Sequence, residues 1–382
     1  MMSSQKLNRD ILRLKVAMLT RGVHFPSDEL SGRTGGAGPT LGSYFLLNDE
    51  ILVNAPIRTG QQLELFHAIE LQPLEGNQLE IGFEGKIFPV QLVAAPEFYQ
   101  DRLSDGTPMT HIALMHGTDC LATTIVQHCD YFDQGLECQF CSITVSLEQG
   151  NTILRKSPDQ FLKVLKAAKK EKRASHLTLT MGTPDRPDRG VHEYIEFVSA
   201  IRKQSDVPIH AQLEPPDSSD QLRALKDAGV DTVGIHLEIY DDDLRKHYCP
   251  GKFYNASFFD YYSAWRQAVR IFGRGQVSTF ILLGLGENPE QLHQGFKTTI
   301  EIGVIPVPVP CRPNPGSHLE DYIPPYVEDL DQIVDVYLDC AQLLYAHTLD
   351  PRTHSAGCVR CGGCTALTEA YQVIEAMQEK KR

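Results

Sequence analysis

The chain has 382 residues and a formal net charge of −13 at pH 7, and 42% of its residues are hydrophobic. It is long enough for one large α/β barrel with an appendage, or for two or three ordinary domains. The acidic balance argues against a nucleic-acid surface, because phosphate binding requires clustered Lys and Arg. We also expect no membrane association, because no apolar run approaches the roughly 20 residues that span a bilayer and no signal-peptide pattern opens the chain.

Residues 1–105 predict a small accessory α+β domain that is rich in strands. An amphipathic helical pattern over about residues 6–21 precedes a Gly-rich segment, residues 32–39. Short alternating runs follow at residues 43–47 and 87–93, a pattern typical of strands. The Gly-rich segment lacks the Gly-Lys-Ser/Thr ending of a phosphate-binding loop, which favours a structural turn.

Residues 106–325 predict a (β/α) barrel, partial or complete, because apolar strand-like runs alternate with helical patterns. The predicted strands are Leu121–Gln127, His176–Thr180, Pro208–Leu213, Thr232–Leu237, Val277–Leu283 and Ile305–Val309. The predicted helices are Pro158–Lys170, Val191–Lys203, Ser219–Ala228, Ala256–Phe272 and Pro289–Ile302. No G-x-G-x-x-G sequence follows a strand, which argues against a dinucleotide-binding sheet. Residues 326–382 predict a helical C-terminal extension with a Cys-rich segment.

Polar, Gly or Cys residues follow every predicted barrel strand. In β/α barrels the catalytic residues lie in the loops after the carboxyl ends of the strands. The residues at these positions are His128 with the cysteines that follow it, Gly182 and Thr183, Glu214, His236 and Glu238, Gly284 to Glu287, and Cys311 with Arg312. We therefore expect an active site at this end of the barrel.

Six of the ten cysteines fall into two triplets, Cys129/Cys138/Cys141 and Cys358/Cys361/Cys364. In a cytoplasmic, reducing compartment, which we expect here, clustered cysteines act as metal or redox ligands rather than as a disulfide framework. Three thiolates leave one metal position open. The site is then either zinc with a bound water or a [4Fe–4S] cluster with one free iron, and the spacing is compatible with both.

The sequence Cys138-x-Phe140-Cys141 resembles the second half of the radical S-adenosylmethionine (SAM) signature, C-x-x-x-C-x-aromatic-C. The resemblance covers roughly residues 108–320. It implies a radical SAM barrel with a [4Fe–4S] cluster on Cys129, Cys138 and Cys141 and with SAM as cofactor. The first cysteine gap is eight residues instead of three, so Cys120 competes with Cys129 as the third ligand.

The same resemblance implies a set of cofactor-binding residues around the cluster. Gly182 and Thr183 stand where such enzymes carry a Gly-Gly-Glu loop, with Thr183-Pro184 in place of Gly-Glu. Glu238 and Arg245 resemble positions that hold the ribose or the methionyl group, although a structural ion pair between them is equally compatible with the spacing. The remaining members of the set are Phe140, Glu214, Gly284, Gly286, Glu287 and Arg312. Glu287 is also compatible with a helix cap.

Among radical SAM enzymes the chain resembles the biotin-synthase and lipoyl-synthase side. More narrowly, it resembles an uncharacterised radical SAM family whose genes lie beside a nitrilase in bacterial clusters. The sequences that carry this narrower resemblance are Gly36-Ala37-Gly38-Pro39, His116-Gly-x-Asp-Cys-Leu-Ala-Thr-Thr, Glu214-Pro-Pro-Asp and Gly273-Arg-Gly-Gln-Val-Ser-Thr.

The second triplet, Cys358-x-x-Cys361-x-x-Cys364, has three interpretations. It is an auxiliary Fe–S cluster, a structural zinc site, or a redox pair with one bystander. Gly362 and Gly363 favour a loop whose N–H groups approach the sulfur atoms. The candidates for a fourth ligand are Cys340, Cys311 and His354.

The resemblance implies an enzyme that reductively cleaves SAM to a 5′-deoxyadenosyl radical and abstracts hydrogen from a small-molecule substrate. An auxiliary cluster would add sulfur insertion or redox help, and the reductant would be flavodoxin or ferredoxin. Two alternatives are a zinc-dependent barrel hydrolase and a non-catalytic Fe–S electron carrier. The hydrolase lacks an H-x-H pair at any strand end, and the carrier does not explain the polar residues after every strand.

Overall fold

The computed structural model describes residues 9–25, 42–74 and 78–380. The Gly-rich segment 32–39, with its Gly36–Pro39 motif, lies outside these residues. The described residues form two sheets and the helices that cover them. Every helix in this part of the chain is too short or too polar to span a bilayer.

The N-terminal sheet has six strands in the order β1-β4-β5-β6-β2-β3, with β1 parallel to β4 and the other neighbours antiparallel. Its strands are β1 Val23–His24, β2 Gly42–Leu47, β3 Ile51–Pro56, β4 Ile69–Pro73, β5 Gln78–Phe83 and β6 Lys86–Leu92. The alternating runs of the sequence form β2 and β6, so the expected strand-rich N-terminal part is confirmed.

The second sheet has seven strands in sequence order, of which the last six are parallel. Its strands are β7 Leu114–His116, β8 Cys120–Thr124, β9 His176–Thr180, β10 Ile209–Leu213, β11 Thr232–Ile235, β12 Val277–Leu283 and β13 Ile305–Pro310. The short strand β7 is antiparallel to β8. Within the described residues β7 and β13 do not pair, so the barrel is partial. The sequence predicted a barrel that is either partial or complete.

The helices follow the predicted β/α alternation. They are α1 Arg9–Thr20, α2 Gln62–Leu65, α3 Asp130–Asp133, α4 Val145–Glu148, α5 Pro158–Lys170, α6 Val191–Arg202, α7 Ser219–Ala228, α8 Asp242–Tyr248, α9 Pro250–Asn255, α10 Phe258–Phe272, α11 Pro289–Glu301, α12 Leu330–Ala346, α13 Gly357–Cys361 and α14 Leu367–Glu379. Ser157, Ser218 and Ser257 close capping boxes at the starts of α5, α7 and α10. The buried faces of α5, α7 and α10 pack against the outside of the barrel.

The C-terminal extension packs against the N-terminal part of the chain and against the barrel. Lys15 of α1 donates to the carbonyl of Gly362 at 2.9 Å and pairs with Glu369 of α14 at 2.9 Å. The N–H of Asn54 in β3 donates to the carbonyl of Gly363 at 2.7 Å. The Cys-rich segment is therefore enclosed by all three parts of the chain, and the division at residues 105 and 325 stays a prediction.

Candidate active site

The loop after β8 carries the first cysteine triplet. Cys129 directly precedes α3, and a tight turn in which the N–H of Cys141 donates to the carbonyl of Cys138 at 2.9 Å closes the motif. The N–H of Gln139 donates to the carbonyl of Tyr248, at the end of α8, at 2.8 Å. The eight-residue gap between the first two cysteines therefore contains a short helix and a return of the chain toward α8.

The three cysteines meet at one cavity of about 330 Å³ inside the barrel, the central cavity. Cys138 is buried, and Cys129 and Cys141 are partly buried. Burial raises the pKa of Cys129 and the pKa of Cys141 to about 12 each. The sulfur atom of Cys141 adds to the shift of Cys129, and the sulfur atom of Cys138 adds to the shift of Cys141. Protein groups alone thus keep these thiols protonated. A bound metal centre would supply the positive charge that thiolates require.

Gly182 and Thr183 lie directly against the peptide of Cys129. A Cβ atom at Gly182 would overlap the carbonyl group of His128 and lie 2.7 Å from the nitrogen of Cys129. The N–H of Asp130 donates to the carbonyl of Thr183 at 3.0 Å. The loop after β9 therefore supports the first cysteine, and only glycine fits at position 182 without displacing it.

Two buried carboxylates line the central cavity from the loops after β10 and β11. Glu214 accepts hydrogen bonds from the hydroxyls of Thr183 at 2.6 Å and Tyr131 at 3.0 Å. Glu238 pairs with Lys252 of α9 at 2.7 Å. Burial alone would lower the pKa of Lys252, but the Glu238 carboxylate and other nearby anionic groups raise it well above its usual value. Lys252 is therefore a fixed cation beside the cysteine site.

Other predicted residues lie elsewhere. Arg245 is 1% exposed, pairs with Asp242 at 3.0 Å and donates to the carbonyl of Ala256 at 2.8 Å, outside the central cavity. The ion pair with Glu238 that the sequence allowed does not form.

The residues of the Gly284–Glu287 element do not line the central cavity, although Leu285 packs with Cys138 and Cys311. The Glu287 carboxylate accepts the backbone N–H groups of Gly284 at 2.6 Å and Leu285 at 2.8 Å. Together with Gly286, Gly284 and Glu287 line a separate cavity against α11 and α12. The N-cap of α11 is Asn288, so Glu287 stabilises its own loop and does not cap the helix.

Lys156 lines the central cavity, and sequence analysis did not find it. Its Nζ donates to Gln127 Oε1 at 3.1 Å and to the carbonyl of Ile153 at 2.9 Å. The side chain is 3% exposed, and burial lowers its pKa to about 7. Lys156 directly precedes the N-cap of α5, a position that is commonly exposed, so the sequence held no signal for its burial.

The second triplet lies beside β9 and β10. The N–H of Gly357 donates at 3.1 Å to Nδ1 of His176, the first residue of β9. Gln212 of β10 donates to the sulfur of Cys358 at 3.3 Å. Cys358 and Cys364 line the same central cavity as the first triplet. One cavity therefore connects the two groups of cysteines through the interior of the barrel.

Arg312 and Phe140 also line the central cavity. The buried guanidinium of Arg312 donates to the side-chain oxygen of Asn54 at 2.8 Å and to its carbonyl at 2.6 Å. Burial lowers the pKa of Arg312, whereas the sulfur of Cys364 opposes that shift. Arg312 therefore lies nearer to the second triplet than the resemblance implies.

Neither triplet has the spacing of a preformed zinc site. A tetrahedral site with Zn–S bonds of about 2.3 Å brings its sulfur atoms to about 3.8 Å from one another. Among the described residues, the only three potential ligands whose donor atoms all lie within 4.8 Å are His128, Asp130 and Asp133, near the surface. Neither cysteine triplet brings all of its sulfur atoms within that distance of one another.

Comparisons with known proteins give a family match and a named relative. Residues 127–297 match the family model of the radical SAM superfamily. The bacteriochlorophyllide c C-7(1)-hydroxylase of Chlorobaculum limnaeum is 24% identical over 363 residues, which cover 88% of this chain and 87% of the hydroxylase.

The chain also matches solved structures with TM-scores below 0.5. Methylornithine synthase matches with a TM-score of 0.47 and 16% identity, covering 65% of this chain and 72% of that chain. A radical SAM methyltransferase from Sphaerobacter thermophilus matches with a TM-score of 0.46 and 14% identity, covering 78% of this chain and 80% of the methyltransferase.

The partial barrel carries three cysteines and two buried carboxylates in the loops after its strands, and all five line one cavity. Residues 127–297 match the radical SAM superfamily, and the chain is an enzyme. The superfamily carries a [4Fe–4S] cluster and uses SAM.

Proposed function

We propose that Cys129, Cys138 and Cys141 hold a [4Fe–4S] cluster whose fourth iron binds SAM at the mouth of the barrel. The observation that carries this proposal is the convergence of the three cysteines, Glu214 and Glu238 on one buried cavity. When bound, such a cluster would supply the electron for reductive cleavage of SAM to methionine and a 5′-deoxyadenosyl radical, and this radical would take a hydrogen atom from the substrate.

The residues of the chain position the cofactor and exclude water. Gly182 and Thr183 hold the Cys129 peptide, and Phe140 packs against the apolar cluster that contains Cys138. Glu214 and Glu238 offer acceptors for the amine and the ribose hydroxyls of SAM. We keep Arg245 and the Gly284–Glu287 element as supports of the loops after β11 and β12, because their side chains are used locally.

We further propose an auxiliary Fe–S cluster at Cys358, Cys361 and Cys364. Cys358 and Cys364 line the same cavity as the first triplet, so a substrate bound in that cavity would be near both groups of cysteines. The hydroxylase relative favours redox help over sulfur insertion, because adding water to a substrate radical requires the removal of one electron. The proposed setting is the cytoplasm, with a flavodoxin or ferredoxin as reductant, in keeping with ten free cysteines.

The experiment is anaerobic reconstitution with iron and sulfide counts, followed by an assay of 5′-deoxyadenosine formed under dithionite. We expect Cys138→Ala to remove about half of the iron, because two four-iron clusters are proposed. We expect Cys129→Ala to abolish SAM cleavage, whereas Cys120→Ala and the control Cys340→Ala retain it. Stoichiometric zinc without sulfide would contradict the proposal, and loss of cleavage in Cys120→Ala alone would move the third ligand to Cys120.

A further inference from the structure

Cys120 opens β8 and faces the inside of the barrel. Ala122, Thr123 and Thr124 of the same strand line the central cavity, and so does Thr178 of β9. Cys120 is 1% exposed, and its sulfur lies 3.3 Å from the hydroxyl of Thr178 on β9. It is at the amino end of its strand, far from the loop that carries Cys129.

The turn between β7 and β8 holds Cys120 against the second triplet. His116 is the antiparallel partner of Cys120, and its carbonyl accepts from the sulfur of Cys361 at 3.8 Å. Arg360 pairs with Asp119 at 3.6 Å. The parallel partner of Cys120 is His176, which accepts the N–H of Gly357.

The buried Cys120 thiol also lies near the sulfur atoms of Cys361 and Cys358.

The fourth-ligand candidates suggested by the sequence lie in other surroundings. Cys311 packs at the barrel mouth with Cys138 and Cys249. Cys340 is buried in α12, with its sulfur 3.9 Å from the carbonyl of Pro306. His354 bonds through Nδ1 to the carbonyl of Ala356 at 2.6 Å, while its Nε2 has no partner among the described residues. His354 is therefore the one competitor that the test must include.

We infer that Cys120 is the fourth ligand of the auxiliary site, so that Cys120, Cys358, Cys361 and Cys364 hold one four-iron cluster. A C-x-x-C-x-x-C run completed by a distant cysteine is the ligand pattern of four-iron ferredoxin clusters. With four thiolates every iron carries a protein ligand, so the cluster exchanges electrons and does not anchor substrate at an open iron. This inference rests on the auxiliary cluster of the proposed function.

The test isolates the auxiliary site in a full-length variant that carries Cys129→Ala, Cys138→Ala and Cys141→Ala. After anaerobic reconstitution we expect about four iron and four sulfide per chain. Adding Cys120→Ala should lower the iron to about three or fewer, with the electron paramagnetic resonance signal of a three-iron cluster if the cluster persists. Cys120→Ser keeps the size of the side chain and should shift the spectrum. Cys340→Ala should leave the iron unchanged.

Two outcomes would overturn the inference. One is a Cys120→Ala variant with the same iron, sulfide and spectrum as Cys340→Ala. The other is a loss of iron in His354→Ala but not in the Cys120 variants, which would make His354 the ligand. If the parent variant of this series binds no iron and sulfide at all, the auxiliary cluster of the proposed function fails instead, while SAM cleavage by the unmodified chain still tests the barrel cluster separately.

Discussion

Lys156 is a basic side chain held in a place that disfavours its charge. Within the described residues the acceptors of its Nζ are both neutral, Gln127 Oε1 and the carbonyl of Ile153. Burial lowers its pKa to about 7 from the ordinary 10.5. Lys156 therefore binds its proton more tightly in the unfolded chain than in the folded chain. Its protonation lowers the free energy of unfolding by the full amount below pH 7, and this loss of stability disappears as pH rises toward 10.5.

We predict that Lys156→Met changes thermal stability in a pH-dependent way. The variant lacks the charge penalty, so the stability that it gains over the parent should be larger at pH 7 than at pH 9. The two gains should differ by up to about 2 kcal/mol in the free energy of unfolding, and the Tm difference should follow the same order. His111, which faces Lys156, has a pKa below its usual 6.5 and stays neutral over this range. The loss of the hydrogen bond to Gln127 does not depend on pH. An equal Tm difference at both pH values would show that Lys156 is not buried as described.

At the scale of elements, the loops after the strands gather the site because parallel strands end at the same edge. The strand patterns in the sequence were sufficient to predict that Cys129, Cys138, Gly182, Glu214 and Glu238 meet, and they line one cavity. The sequence also predicted β9 and β12 with their observed limits, whereas β8 ends at Thr124, three residues earlier than predicted. The His116–Cys120 motif gave no sign that β7 would form.

The helices α8 and α9 explain part of what the sequence could not supply. They place Tyr248, Lys252 and Asn255 beside the cysteine loop, where Lys252 replaces Arg245 as the partner of Glu238. Sequence spacing made Arg245 the natural partner, since it follows Glu238 on the next helix. Which of two nearby cations reaches a carboxylate depends on helix rotation and burial, and a pattern of residues does not encode these strongly.

We predict that Gly182→Ala weakens the barrel cluster site by direct steric conflict. The new Cβ would overlap the His128 carbonyl and push the Cys129 peptide away. Overpacking of this kind lowers the free energy of unfolding by about 1–3 kcal/mol, so we expect the protein to remain folded. Iron bound at the barrel site and 5′-deoxyadenosine formation should both fall. The matched control is Gly82→Ala in β5, where a Cβ meets no atom within 4 Å. Equal iron content and cleavage in the two variants would refute this role of Gly182.

At the scale of the whole molecule, the Cys-rich segment is held by contacts that do not require a metal. Lys15 donates to Gly362, Asn54 donates to Gly363, and the hydroxyl of Thr365 donates to the carbonyl of Pro308 at 2.7 Å. Each of these contacts uses main-chain atoms of the segment or a residue outside the triplet. The sequence showed the triplet but not its enclosure, because the partners come from residues that are distant along the chain.

These contacts decide what we expect when all three of Cys358, Cys361 and Cys364 are changed to Ala. A structural zinc site would make the variant insoluble or unfolded, since the free energy of metal binding is then free energy of folding. The contacts of Lys15, Asn54 and Thr365 remain in the variant, so we expect a soluble protein with nearly parental secondary structure. The barrel triplet is untouched, so SAM cleavage to 5′-deoxyadenosine under dithionite should persist without substrate.

The measurements are soluble yield, circular dichroism, iron content and deoxyadenosine formation, with Cys340→Ala as the control. A folded variant that keeps all of its iron would show that the segment binds no cluster, and an unfolded one would favour the zinc interpretation.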